Sequence, residues 1–249
     1  MSIGAPASVR RVRWYHVPVA FAASLLLSLI AGVVYLLWQA LTQPDFDLGL
    51  YPRDFYFLST VQAGACLGML LASLWFFSRI SDLPCRFRVP SLRDLLTALG
   101  AALVLMLAAT LFEIFCDTFL GTHLAEDTAR LPIAPRSWAQ LPLGILVIAV
   151  LAPLSEEAFF RGLLLGWLHR HWGRWPAILG SSLVFGLVHL KMFTAPALDG
   201  WLLTLELSAM GAAFALLALR TGNLWVSGAV HALNNLCVVL VVFFFFPAA

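Results

Sequence analysis

The sequence predicts an all-α membrane protein, a polytopic bundle of about seven transmembrane helices. Three observations carry that expectation. Hydrophobic residues make up 61% of the 249 and charged residues only 11%, where a soluble domain carries about 25% charged. The mean hydropathy is +0.91. Apolar runs of about 20 residues, the length that crosses a bilayer, recur along the whole chain with polar stretches between them.

The first run, 17–41, follows Arg10, Arg11 and Arg13. A basic start before an apolar run resembles a secretory signal, but the h-region of a signal is only about 7–15 residues long. We read this run as an uncleaved first span. The further spans are expected at 55–77, 94–115, 139–168, 175–193, 198–220 and 224–246. The polar, proline-containing stretch 116–138 is too short and too polar to cross and belongs at an interface. The chain reads as a single integral membrane domain, 1–249. Within it, 139–246 is expected to form the functional core and 1–138 supplies N-terminal helices and loops.

Loop charge orders these spans. The N-terminal tail, the loop with Arg79, Arg86, Arg88 and Arg93, and the loop with Arg170 and Arg174 are basic. The alternate loops are acidic or neutral, with Asp45, Asp47 and Asp54 in one and Asp117, Glu126 and Asp127 in another. The positive-inside rule then puts the N-terminus in the cytoplasm and the C-terminus outside; a bacterial inner membrane is the expected location. Trp14, Trp38, Trp75, Trp138, Trp172, Trp175, Trp201 and Trp225 fall near span ends, the headgroup level that indole rings prefer.

Small residues four apart, such as Gly64 and Gly68 or Gly162 and Gly166, mark faces where helices approach closely. No internal repeat supports an inverted-repeat transporter. The formal net charge of +2 gives no footprint for nucleic acid. Cys66, Cys85, Cys116 and Cys237 show no paired spacing and read as small packing residues.

The chemistry sits in the last hundred or so residues. Glu156, Glu157 and Arg161 lie inside an apolar run, where each charge at mid-bilayer costs roughly 2.5–3.5 kcal/mol on an insertion scale. Glu157 and Arg161 are four apart and can pair on one helix face, whereas Glu156 points about 100° away. Phe185 and His189 are one turn apart in the fifth span, and His231 and Asn235 one turn apart in the seventh. Glu206 lies in the sixth span and could pair with Lys191. Singly, each residue could be a hydrogen-bonded packing group, and Pro153 a simple kink. Together they offer a carboxylate and an imidazole to activate water. A second imidazole and a carboxamide could then stabilise an oxyanion.

The ordered set Glu156-Glu157-Ala-Phe-Phe-Arg161, Phe185-Gly-Leu-Val-His189 and His231-Ala-Leu-Asn-Asn235 resembles the CPBP family. That family comprises the CAAX-prenyl-protease-type and bacteriocin-processing intramembrane endopeptidases, also called Abi proteins. The resemblance covers residues 140–240 or thereabouts. It implies cleavage of a peptide or protein whose C-terminal region is membrane-associated. It further implies that Glu156 activates water, His189 assists, and His231 and Asn235 bind the oxyanion. Glu157 and Arg161 would hold the helix, with Phe185 supporting. A metal-free site without cofactor is the favoured reading, since there is no H-E-x-x-H. Zinc held by Glu156, Glu157, His189 and His231 is the alternative. A non-catalytic immunity or scaffold protein on the same fold, a bis-histidine haem protein and a proton-coupled transporter are rival expectations.

Overall fold

In the computed structural model, residues 11–44, 46–124, 133–189 and 197–246 are described. They form helices α1 (His16–Thr42), α2 (Phe55–Phe77) and α3 (Leu92–Phe119), then α4 (Leu141–Trp172), α5 (Arg174–Val188), α6 (Ala197–Thr221) and α7 (Leu224–Phe245). A short 3₁₀ turn, Leu48–Arg53, precedes α2. No strand occurs among the described residues. Six of the helices are long and apolar enough to span a membrane. The exception is α5, with 15 residues. At 1.5 Å per residue it is about 22 Å long, short of the ~30 Å hydrocarbon core.

Helix starts are set by short polar side chains. Asp54 accepts from the Phe57 N–H at 2.6 Å and also from the Tyr35 hydroxyl at 3.1 Å. Ser91 and Asp94 form a reciprocal capping box at α3. The Asn223 side chain caps α7. Each satisfies orphan N–H groups that would otherwise face the bilayer unpaired.

The glycine spacing has a concrete partner. A Cβ at Gly64 would fall 2.7 Å from the Leu27 carbonyl oxygen, and one at Gly68 would collide with the Ala23 carbonyl. α1 and α2 thus pack backbone to backbone. On α4, a Cβ at Gly162 would enter the Phe77 ring of α2, so the same principle docks α4 onto the first helix pair.

The polar ends gather as the loop charges predict. Asp82, in the loop after α2, accepts from the Val12 N–H and pairs with Arg170 at the end of α4. Arg86 of the same loop exchanges backbone hydrogen bonds with the α6–α7 turn, from Arg86 N–H to Gly222 O and from Leu224 N–H to Arg86 O. The N-terminal arm, the 78–91 loop, the α4–α5 corner and the α6–α7 turn therefore share one face. At the other end the His123 N–H donates to Asp199, and Arg136 donates to the Phe246 carbonyl. The thiols behave as packing groups. Cys66, Cys85 and Cys116 are buried and Cys237 is exposed, all unpaired. Burial, and next the Glu157 charge, push the Cys85 thiol up to about 12.

Candidate active site

Helix α4 is not a uniform α-helix. Ile145–Leu151 and Glu157–Leu164 wind as π-helix, with an α-helical turn, Ala152–Glu156, between them. The sequence, read with α-helical spacing, did not announce this. Single-turn π segments occur frequently at functional sites. Glu156 stands at the midpoint of the 32-residue α4.

The two adjacent glutamates part company there. Glu157 is fully buried, and its Oε1 lies 3.2 Å from Arg161 Nη1 and 3.3 Å from His231 Nδ1. Arg161 is 1% exposed. Its Nη2 donates to the Gly211 carbonyl at 3.2 Å, and its guanidinium lies 4.4 Å from the centre of the Phe185 ring and 5.1 Å from that of Phe214. A buried arginine is tolerated here because a carboxylate, a carbonyl and two ring faces replace its water shell. Gly211 permits the approach, since a Cβ there would sit 3.4 Å from Arg161 Nη2.

Glu156 faces the other way, 13% exposed, into a cavity of about 440 Å³. Its Oε1 is 3.8 Å from His189 Nε2 and its Oε2 3.7 Å from His231 Nε2. These separations exceed a direct hydrogen bond but leave both imidazoles on the one carboxylate. The other ring nitrogens are committed. His189 Nδ1 is 2.7 Å from the Phe185 carbonyl, which can only accept, so Nδ1 carries the proton. His231 Nδ1 meets a carboxylate oxygen of Glu157 that Arg161 also contacts, and for the same reason Nδ1 is the nitrogen that carries the hydrogen. In their neutral forms both rings then turn an Nε2 lone pair toward Glu156. Phe185 packs on both, with ring centroids 4.6 Å from His189 and 5.7 Å from His231, and Phe214 stacks on His231 at 4.8 Å.

Asn235 also lines the cavity, with its Nδ2 donating to the Ile148 carbonyl at 3.0 Å. One of its two amide hydrogens is thereby used and one remains. The seven residues expected from the sequence thus converge as one cluster: five on the cavity, Phe185 among them between the imidazoles, and Glu157 with Arg161 behind them.

The cavity wall also includes polar residues that sequence reasoning did not place in the site. Gln62 comes from α2, Thr110 and Glu113 from α3, and Asn234 from α7. Gln62 and Thr110 were detectable as polar side chains in otherwise apolar spans. Glu206 also lines the cavity; Lys191, its expected partner, lies outside the described residues. From the glutamate the cavity extends along α7 through Val238 and Val242 to Phe246.

The four-residue zinc set does not assemble. The Oε1 of Glu157 is occupied by Arg161 and His231, and the Nδ1 of His231 is turned to that pair. Among the described residues no group of three or more His, Cys, Asp or Glu has the geometry to hold a metal.

Residues 138–237 match the family model described as type II CAAX prenyl endopeptidase Rce1-like. The chain is also 34% identical over 100 residues to a Bacillus subtilis (strain 168) protein provisionally named membrane peptidase YdiL. That match covers 40% of this chain and 37% of the relative, so the chain spans well under half the relative's length. No solved structure matches. The matched segment contains every residue of the Glu156 cluster. Over that segment, the chain is similar to the type II CAAX prenyl endopeptidases of the Rce1-like family.

Proposed function

We propose that this protein is a metal-free intramembrane endopeptidase that cleaves a peptide bond near the C-terminus, or beside a membrane segment, of a peptide or protein substrate. The observation that carries the reading is the pair of imidazole Nε2 atoms converging, at 3.7 and 3.8 Å, on the Glu156 carboxylate inside one cavity. The cavity's apolar length along α7 supports a substrate that enters with a membrane-associated segment.

In the proposed reaction, Glu156 and the Nε2 of His189 hold a water beside the scissile carbonyl. Glu156 removes a proton as the water oxygen bonds to the carbonyl carbon. The carbonyl oxygen becomes an oxyanion and accepts from the remaining Nδ2–H of Asn235. His231 donates as well once its Nε2 is protonated. The carbon–nitrogen bond then breaks, and the proton held by Glu156 or His189 passes to the leaving amine. Glu157 and Arg161 position the assembly: their pairing keeps His231 in the tautomer that turns Nε2 to the site. The first three helices support this core, and Gln62, Thr110 and Glu113 contribute to its wall.

The loop charges support a cytoplasmic N-terminus and an external C-terminus, and the proposed location is a bacterial inner membrane. The test is cleavage in liposomes. Peptides ending in an apolar or isoprenylated segment are incubated with the reconstituted protein, and new termini are read by mass spectrometry. Cleavage that disappears with Glu156→Gln is the expected result. Binding without any cleavage, across peptides of varied C-terminal chemistry, would favour a non-catalytic role.

A further inference from the structure

A second cavity, of about 450 Å³, opens where the N-terminal arm meets the end of α4. Arg11, Arg13, Trp14, Trp167, Arg170 and His171 line it. It is held in shape by one carboxylate. Asp82 accepts from the Val12 N–H at 3.0 Å through one oxygen and pairs with Arg170 at 2.5 Å through the other. Val12 is 2% exposed, so the arm is fastened while the side chains of Arg11 and Arg13 on either side face outward. Asp82 is committed to Arg170. Among the described residues neither Arg11 nor Arg13 has an acidic partner, and residues 1–10 contain no Asp or Glu. The indole of Trp167 lies 5.0 Å from the His171 ring, whose Nδ1 is tied to the Trp167 carbonyl at 2.7 Å. Among the described residues that leaves the Nε2 of His171 uncommitted.

Arginines and a histidine around one cleft suit a phosphate, because guanidinium forks match its oxygens. Tryptophans in the same wall belong at headgroup depth, and the cleft lies on the face where the basic loops gather. We propose that this cleft binds the phosphodiester headgroup of an anionic phospholipid of the adjoining leaflet. Basic pockets between transmembrane helices are suited to such headgroups. The bound lipid ties the N-terminal arm to the last turn of the helix that carries Glu156. The inference is independent of the proteolytic reading.

The test uses purified full-length protein in a neutral detergent. Melting temperature is followed while phosphatidylglycerol, phosphatidylcholine or inorganic phosphate is titrated. Phosphatidylglycerol should raise the melting temperature saturably, and the other two should not. Arg11→Ala/Arg13→Ala, which alters only exposed side chains, should weaken half-saturation by roughly 10- to 30-fold. Arg93→Ala, an exposed arginine outside the cleft, should leave it unchanged. An equal response to phosphatidylcholine, or an equal loss with Arg93→Ala, would overturn the site. A full response to inorganic phosphate would overturn the lipid assignment.

Discussion

The Nδ2 of Asn235 donates to the Ile148 carbonyl because Pro153 cannot. In the π-helical stretch, N–H groups bond five residues back, as Ala152 does to Val147. The next donor in register would be residue 153, and proline has no N–H. The Ile148 carbonyl would be orphaned in the membrane interior. Asn235, from α7, fills the position at 3.0 Å and is itself aimed at the site by doing so.

Asn235→Ala should therefore lower stability as well as activity, by about 1–3 kcal/mol for an unsatisfied buried acceptor. Pro153→Ala supplies the missing donor. The double variant should recover much of the lost melting temperature in detergent while remaining poorly active. Failure of Pro153→Ala to rescue Asn235→Ala would remove the proposed link between helix defect and carboxamide.

Glu156→Gln should preserve the fold and lose about 10²–10⁴-fold in cleavage rate, the usual effect of removing a general base. Thermal melts and single-turnover cleavage on the same preparations measure both. A variant that cleaves at the parental rate would strip Glu156 of its role.

Glu157→Gln should behave in the opposite order. It leaves Arg161 as a buried cation without its carboxylate, a loss of about 3–5 kcal/mol when one partner of a buried pair is removed. It also releases the Nδ1 of His231 from its fixed tautomer. Reduced expression and melting temperature should be the first defects. Neutralising both Glu157 and Arg161 should recover part of the stability but need not restore activity. A stable, inactive Glu157→Gln would exchange the roles of the two glutamates.

Strong chelators should leave cleavage intact, and purified protein should carry well under one zinc per chain. Metal analysis beside activity decides this. Stoichiometric zinc with chelator-sensitive cleavage would make His189 and His231 ligands, with Glu156 or Glu157 beside them.

Reporter fusions after Gly222 and after Ala249 should report cytoplasm and exterior respectively. Gly222 belongs to the turn bonded to Arg86, on the same face as Arg170, so both fusions on one side would break the seven-crossing order.

Composition and periodicity by themselves determined that this is a helical membrane protein, and nearly where each helix lies. Hydrophobic length is a local property, and α1, α2 and α7 begin and end within a residue or two of the apolar runs. The cluster was also legible, because Glu156, Glu157, Arg161, His189 and His231 are each expensive in a bilayer and stand out against Leu and Val. Which glutamate faces the cavity was only half legible. Helical spacing separates Glu156 from Glu157 by angle, but only the approach of α7 at Gly228, 3.7 Å from Glu157 Cγ for an added Cβ, shows which side is closed. The π-helical winding, the imidazole tautomers and the bond from Asn235 to Ile148 were decided by tertiary structure alone. Each depends on an acceptor from a residue distant in the chain or on a backbone carbonyl whose direction no side-chain pattern records. Gln62 and Thr110 are the same case: single polar residues in apolar spans carry no partner in their own segment, and only packing against α4 and α7 turns them toward one cavity.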